Sequence, residues 1–271
     1  MDYLAEAKKI INTEYQEKYA LAHTDYQTKF MDEKIKHSYQ VLGAGNYLLK
    51  HEPTFQNISR EQLTYYQGIV LLHDVRRFYE ILEKEKGNFI DHGVSGADFL
   101  SQTTLFNKND ALLAIKHHGH LIEELYEDCD FKNLPASEQE HIKKISFLVR
   151  DADKIANLYL LSNNFEKMRG IFFVEQNYPT PHKKSISPQV LTDFTTHRSI
   201  KKADIKSIAD HALLIIAWLY DINYISSFVF LEKLHILKKL FNFFSCYWRL
   251  QDYALFTREI ETFIHNKKSA T

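Results

Sequence analysis

The stretch IVLLHDVRRF, residues 69–78, decides how this chain is read. Four apolar residues, Ile69 to Leu72, run into His73-Asp74 and then into the basic pair Arg76-Arg77. The apolar run reads as core, so the imidazole and carboxylate that end it sit where water is scarce. Polar groups there need partners, and a metal ion supplies them. A lone histidine beside apolar residues is usually a satisfied core or surface residue. The dyad therefore gains meaning only from what the rest of the chain offers.

Working outward, three more places set His or Asp into apolar helical text: His37 in KIKHSYQV, His117-His118 in LLAIKHHGH, and Asp151 and Asp153 in VRDADKI. His92, in IDHGVSG, lies between the second and third of the four. Neutral imidazole and carboxylate together suit a divalent transition metal, and a mixed site with an open position activates water. Asp151 and Asp153 fall about 200° apart around a helix, so one of them faces the metal. The chain holds no Gly-rich phosphate loop, no GxSxG and no HExxH, which removes the P-loop, α/β-hydrolase and zincin readings.

Composition bounds the fold. The 271 residues are enough for a sizeable core, and 45% hydrophobic with 25% charged is the balance of a globular protein. Glycine (8) and proline (5) are scarce, which disfavours turn-rich α/β and β-sandwich folds and favours helices. A net charge of -1 argues against bulk nucleic-acid or membrane-surface binding, while leaving room for a local basic pocket. Cys129 and Cys246 form no CxxC pair. The N-terminal MDYLAEAKKI lacks a secretory apolar stretch, and the longest apolar run, Ala212 to Tyr220, is too short to span a bilayer. The expectation is a cytoplasmic protein.

Along the chain, residues 2–50 read as helix until His51-Glu52-Pro53 interrupts it. A second helix is expected over Arg60 to Lys84, a short one from near Val94, and one capped at Asn109-Asp110. Helical text resumes at Ser137 and continues to about Ser162. The segment 176–188 carries three of the five prolines and reads as a linker or long surface loop. From 189 to 267 helical periodicity returns, rich in aromatics that read as core rather than as a cofactor box. His211 and His235 lie outside the metal pattern and are read as structural, and Arg76 and Arg150 as solvated.

His37 with its following Ser38 and Val41, the Leu71-Leu72-His73-Asp74 dyad and Ala152-Asp153-Lys154 occur in an order that resembles the HD superfamily of metal-dependent phosphohydrolases. The resemblance covers roughly residues 20–165. It implies an all-α helical bundle in which His37, His73, Asp74 and Asp153 hold a metal. It further implies that His92 and His118 hold a second one, with Asp74 bridging; a one-residue shift would put His117 in place of His118. His120 is read as supporting or surface. Two ions drawn from Mn, Fe, Ni, Co or Zn are expected. Relatives often carry Gly after the dyad's next residue. Here that position is Arg76, which would alter how the backbone approaches the metal.

By this resemblance residues 1–175 form a phosphohydrolase domain, 176–188 a linker, and 189–271 a helical extension packed on that core. The implied activity is hydrolysis of a nucleotide or other small phosphoester by metal-activated water, with Asp74, Arg77 and Lys154 as catalytic residues. Arg77 would grip phosphate oxygens in pairs and Lys154 as a point charge. Two alternatives stay open: an HD-fold di-iron oxygenase using the same six ligands, and a non-catalytic sensor or binding module. No membrane partner is expected, and a homo-oligomer is left open.

Overall fold

In the computed structural model, which describes residues 2–269 and only the backbone at 171 and 172, every regular element is helical. The chain divides into two compact units, Met1–Ala156 and Asn157–Thr271.

The first unit opens with α1 (Tyr3–Tyr19) and α2 (Asp25–His51). The sequence reads as one helical stretch here, but Thr24 starts a new helix. Its hydroxyl accepts from the Gln27 amide, and the Gln27 side chain accepts from the Thr24 amide, each at 3.2 Å. The helix α3 (Arg60–Leu72) begins in the same way at Ser59 with Gln62. It does not run on to Lys84 as expected. It stops at Leu72, a tight turn covers 73–76, and α4 (Arg77–Glu85) starts afresh. The turn is closed by the Val75 amide donating to the Leu72 carbonyl and the Arg77 amide to Asp74. The His73 imidazole takes the Val70 carbonyl at 2.9 Å, an acceptor that a continuing helix would give to the Asp74 amide.

Four more helices follow, α5 (His92–Ser101), α6 (Asn109–Lys116), α7 (Ile122–Glu127) and α8 (Cys129–Lys132), before the long α9 (Ala136–Asn163). Helix α3 packs against both α1 and α2, and α5 against α6. The α2–α3 approach depends on Gly45, where an added Cβ would lie 2.8 Å from a Val70 methyl. Ile69, Val70, Leu71 and Leu72 are fully buried, so the dyad does hang from the core.

The second unit contains the end of α9 together with α10 (Phe165–Phe172), α11 (Pro188–Thr195), α12 (Ile208–Ala217), α13 (Ile225–Lys233), α14 (Ile236–Phe244) and α15 (Leu250–Ser269). Its core is aromatic, with Phe194, Phe228, Phe244, Trp248 and Phe256 packed around Leu213 and Ile216. The proline-bearing segment 176–188, read from sequence as a linker or long surface loop, lies inside this unit and is tied to it. Buried Asp210 accepts from the amide and hydroxyl of Ser187, both at 2.8 Å, and from the amides of Lys206 and Ser207. Among the described residues no helix is long and apolar enough to cross a membrane.

Candidate metal centre

The break at residue 73 turns the dyad out of regular helix while keeping it buried; His73 is 0% and Asp74 2% exposed. Around it, α2 supplies His37, the N-terminus of α5 supplies His92, the turn after α6 supplies His118, and α9 supplies Asp153. Two groups of candidate ligands result, His37/His73/Asp74 and Asp74/His92/His118. Within each, the ligand atoms lie within 4.8 Å of one another, and Asp74 belongs to both. Asp153 joins the first side, its Oδ1 2.9 Å from His37 Nε2 and 3.8 Å from His73 Nε2. His92 and His118 meet Nε2 to Nε2 at 3.2 Å, and lie 3.2 and 3.4 Å from Asp74 Oδ1.

The donor set fits a metal. His73 Nε2 and Asp74 Oδ1 are buried with no hydrogen-bond partner, an expensive condition for groups deprived of water. The tautomers fit as well. His73 Nδ1 donates to the Val70 carbonyl and His118 Nδ1 to the Ile115 carbonyl, at 2.9 and 2.7 Å. A carbonyl only accepts, so each Nδ1 carries a proton and each Nε2, the atom free to ligate, faces the cluster.

Electrostatics favour the ligating forms of His73, Asp74 and Asp153, whereas at His92 burial is outweighed by Asp74 and Glu80, which raise the ring above its ordinary value. Burial pushes His73 down to about 4, against the raising pull of Asp74 and Asp153, so its ring is neutral near pH 7. Burial alone would raise the Asp74 carboxyl, but Arg77, His73 and Lys34 hold it well below the usual carboxylate range. Asp153 is likewise held low, burial being outweighed by His37 and His73.

All six metal-ligand candidates named from sequence thus come together. His118 faces the cluster, whereas His117 turns to Asp128 at 2.7 Å. Its neighbour Lys116 reaches the same carboxylate oxygen at 2.7 Å. His120 pairs with Asp91, whose other oxygen caps α5 by accepting from Gly93 and Val94. Arg77 places Nε 3.4 Å from Asp74 Oδ1 and donates to Glu80 at 2.7 Å. Lys154 follows Asp153 on α9 and is half-buried.

One expectation, for two residues, needs correction. Arg76 and Arg150 are not solvated. Arg76 pairs with buried Glu14 of α1 at 2.6 Å and lies over the Tyr79 ring, while Arg150 is only 1% exposed. At Arg76, where relatives carry Gly, the backbone is unstrained. Its φ of -99° and ψ of 10° are open to any L-residue, and its long side chain finds a carboxylate and two aromatic faces.

Sequence reasoning passed over two charged neighbours. Lys34, one turn before His37, brings Nζ within 3.6 Å of Asp74 Oδ2. Glu80, one turn after Arg77, lies 3.3 Å from His92 Nδ1. Burial raises the Glu80 carboxyl, but His92 and Arg77 bring it below its ordinary value. The i,i+3 spacing from known site residues was the available signal in both cases.

Among the described residues every regular element is a helix, and His and Asp side chains that could hold a metal cluster at a helix break. Residues 35–158 match the HD domain family, which supports placing this part of the chain in the HD-domain superfamily. Members bind divalent metals and are mostly hydrolases. No curated protein matches the chain, and no solved structure does.

Proposed function

We propose that this protein is a metal-dependent phosphohydrolase with a two-ion centre, acting on a nucleotide or another small phosphoester. The observation that carries the reading is the position of Asp74, shared by two triads of candidate ligands and left with an unpartnered buried oxygen. His37, His73, Asp74 and Asp153 would hold one ion, and Asp74, His92 and His118 the other. Bound there, divalent ions supply Lewis acidity, lowering the pKa of water toward neutrality and neutralising charge on a phosphoryl group.

The chain's own residues set the geometry for that chemistry. Asp74 stays ionised because Arg77 and Lys34 flank it. The Val70 and Ile115 carbonyls fix the two central imidazoles. Lys34 is a compact cation beside the cluster, suited to a phosphoryl oxygen as a point charge, and Lys154 is the second candidate. Arg77, clamped between Asp74 and Glu80, presents an oriented guanidinium rather than a freely moving one.

The test is elemental analysis of protein purified without chelator, with phosphomonoesterase and phosphodiesterase assays on the same sample. About two ions per chain with phosphoester turnover is the expected result. Two irons without hydrolysis would favour an oxygenase on the same ligands, and no ion under any loading condition would leave a binding module.

A further inference from the structure

Arg150 is among the most buried side chains of the first unit, although guanidinium is costly to remove from water. Its NH1 group donates to three backbone carbonyls, those of His117 at 2.7 Å, His118 at 3.3 Å and His120 at 2.7 Å. These carbonyls belong to the turn that ends α6. The His117 carbonyl also accepts from the His120 amide at 3.3 Å, but those of His118 and His120 rely on the guanidinium. The cation also sits at the C-terminal end of a helix, where positive charge is favoured.

That turn is the one that delivers His118. Its imidazole reaches the cluster from a short non-helical segment, steadied at Nδ1 by the Ile115 carbonyl. Arg150 stands three residues before Asp153 on α9, one turn along the same face. A single helix therefore carries a ligand candidate for one half of the centre and the anchor of a ligand in the other half. The neighbouring side chains have their own tasks: His117 and Lys116 hold Asp128, and His120 holds Asp91.

We infer that Arg150 is a positioning residue that preforms the His92/His118 half of the centre by clamping the 117–120 backbone turn. This rests on the metal-centre reading for its functional consequence, but not for its geometry, which is present without an ion. Removing the guanidinium takes a donor from all three carbonyls and leaves only that of His117 with another, the His120 amide. The turn relaxes, and His118 loses both its fixed tautomer and its place opposite His92.

The experiment is ¹⁵N-detected imidazole NMR on metal-free protein, comparing wild type, Arg150→Met and Arg150→Lys, with His73 as internal reference. Wild-type His118 should show one tautomer, protonated at Nδ1. In Arg150→Met that signature should give way to averaged tautomers while His73 keeps its own, and Arg150→Lys should fall between. Should Arg150→Met fail to fold, Arg150→Lys carries the comparison. Mn²⁺ titration of the folded variants should then show the second ion bound at least tenfold more weakly, with the first unchanged. An unaltered His118 signature overturns the proposal, as does an equal disturbance of His73 and His118. Wild-type protein that takes no second ion, with the tautomer result as expected, would overturn the two-ion reading and leave the clamp standing.

Discussion

His73 and His118 face each other edge to face, ring centroids 5.2 Å apart, and each donates Nδ1–H to the carbonyl three residues before it. One stands where α3 breaks, the other where α6 ends. Two chain ends built in the same local way thus aim two Nε2 atoms toward Asp74. The first imidazole lies with His37 and Asp153, the second with His92, and the carboxylate between them is common to both groups.

Asp74→Asn keeps the shape of that common ligand and removes its charge. Metal content should fall from about two ions toward none, and phosphoester turnover by roughly two orders of magnitude or more, since loss of a group that would touch both ions exceeds the ~10–100-fold typical of supporting residues. Elemental analysis and turnover on one preparation check it; two retained ions would contradict the role of Asp74.

Gly93 sets the distance between α5 and α6. An added Cβ would lie 2.6 Å from the Lys116 carbonyl and 3.1 Å from that of Ile115, and backbone yields poorly. Gly93→Ala should destabilise the protein by about 1–3 kcal/mol and weaken the ion held by His92 and His118. Gly43→Ala, on an exposed face of α2 with nothing within 4 Å of the new Cβ, should stabilise by up to ~1 kcal/mol. Urea unfolding of the two variants, with Mn²⁺ titration of the first, decides it.

Glu80 touches the ring of His92 on the side away from Asp74 and receives Arg77 as well. Glu80→Gln should lower affinity for the His92-side ion about 10–100-fold, leaving the other ion and the fold in place. Equal Mn²⁺ binding curves for variant and wild type, followed by paramagnetic resonance, would show that His92 needs no such support.

In the second unit the Tyr178 hydroxyl lies 2.5 Å from His211 Nδ1, and burial, with Lys202 adding to it, pushes His211 down to about 4. The ordinary value is about 6.5. Because the unfolded chain takes the proton first, this contribution to stability is complete above pH 6.5. It is lost as pH falls toward 4, by roughly 3 kcal/mol in all. The protein's two tryptophans, Trp218 and Trp248, both belong to this unit, so tryptophan fluorescence in urea reports on it. His211→Gln should flatten the midpoint between pH 7 and 4.5; a slope equal to wild type would assign the effect elsewhere.

The sequence by itself determined the helical class, the four places where His and Asp enter apolar text, and, through their order, the HD family. Those are properties of local pattern: periodicity along the chain, and residue types whose chemistry narrows what they do. Helical angles said that only one of Asp151 and Asp153 faces the site, and the resemblance of Ala152-Asp153-Lys154 to the family's distal segment chose Asp153. Tertiary structure decided the rest. His73 and Asp74 read as mid-helix, yet their side chains and the α3–α4 break depend on each other. His118 and His117 differ by one residue, and only the packing of α5 on α6 and the clamp from Arg150 turn the former inward. Arg76 and Arg150 look like surface cations because their partners, Glu14 and the 117–120 carbonyls, lie about 62 and 30 residues away. A backbone carbonyl leaves no mark in sequence as a partner, so a charge buried against carbonyls becomes visible only when the chain is folded.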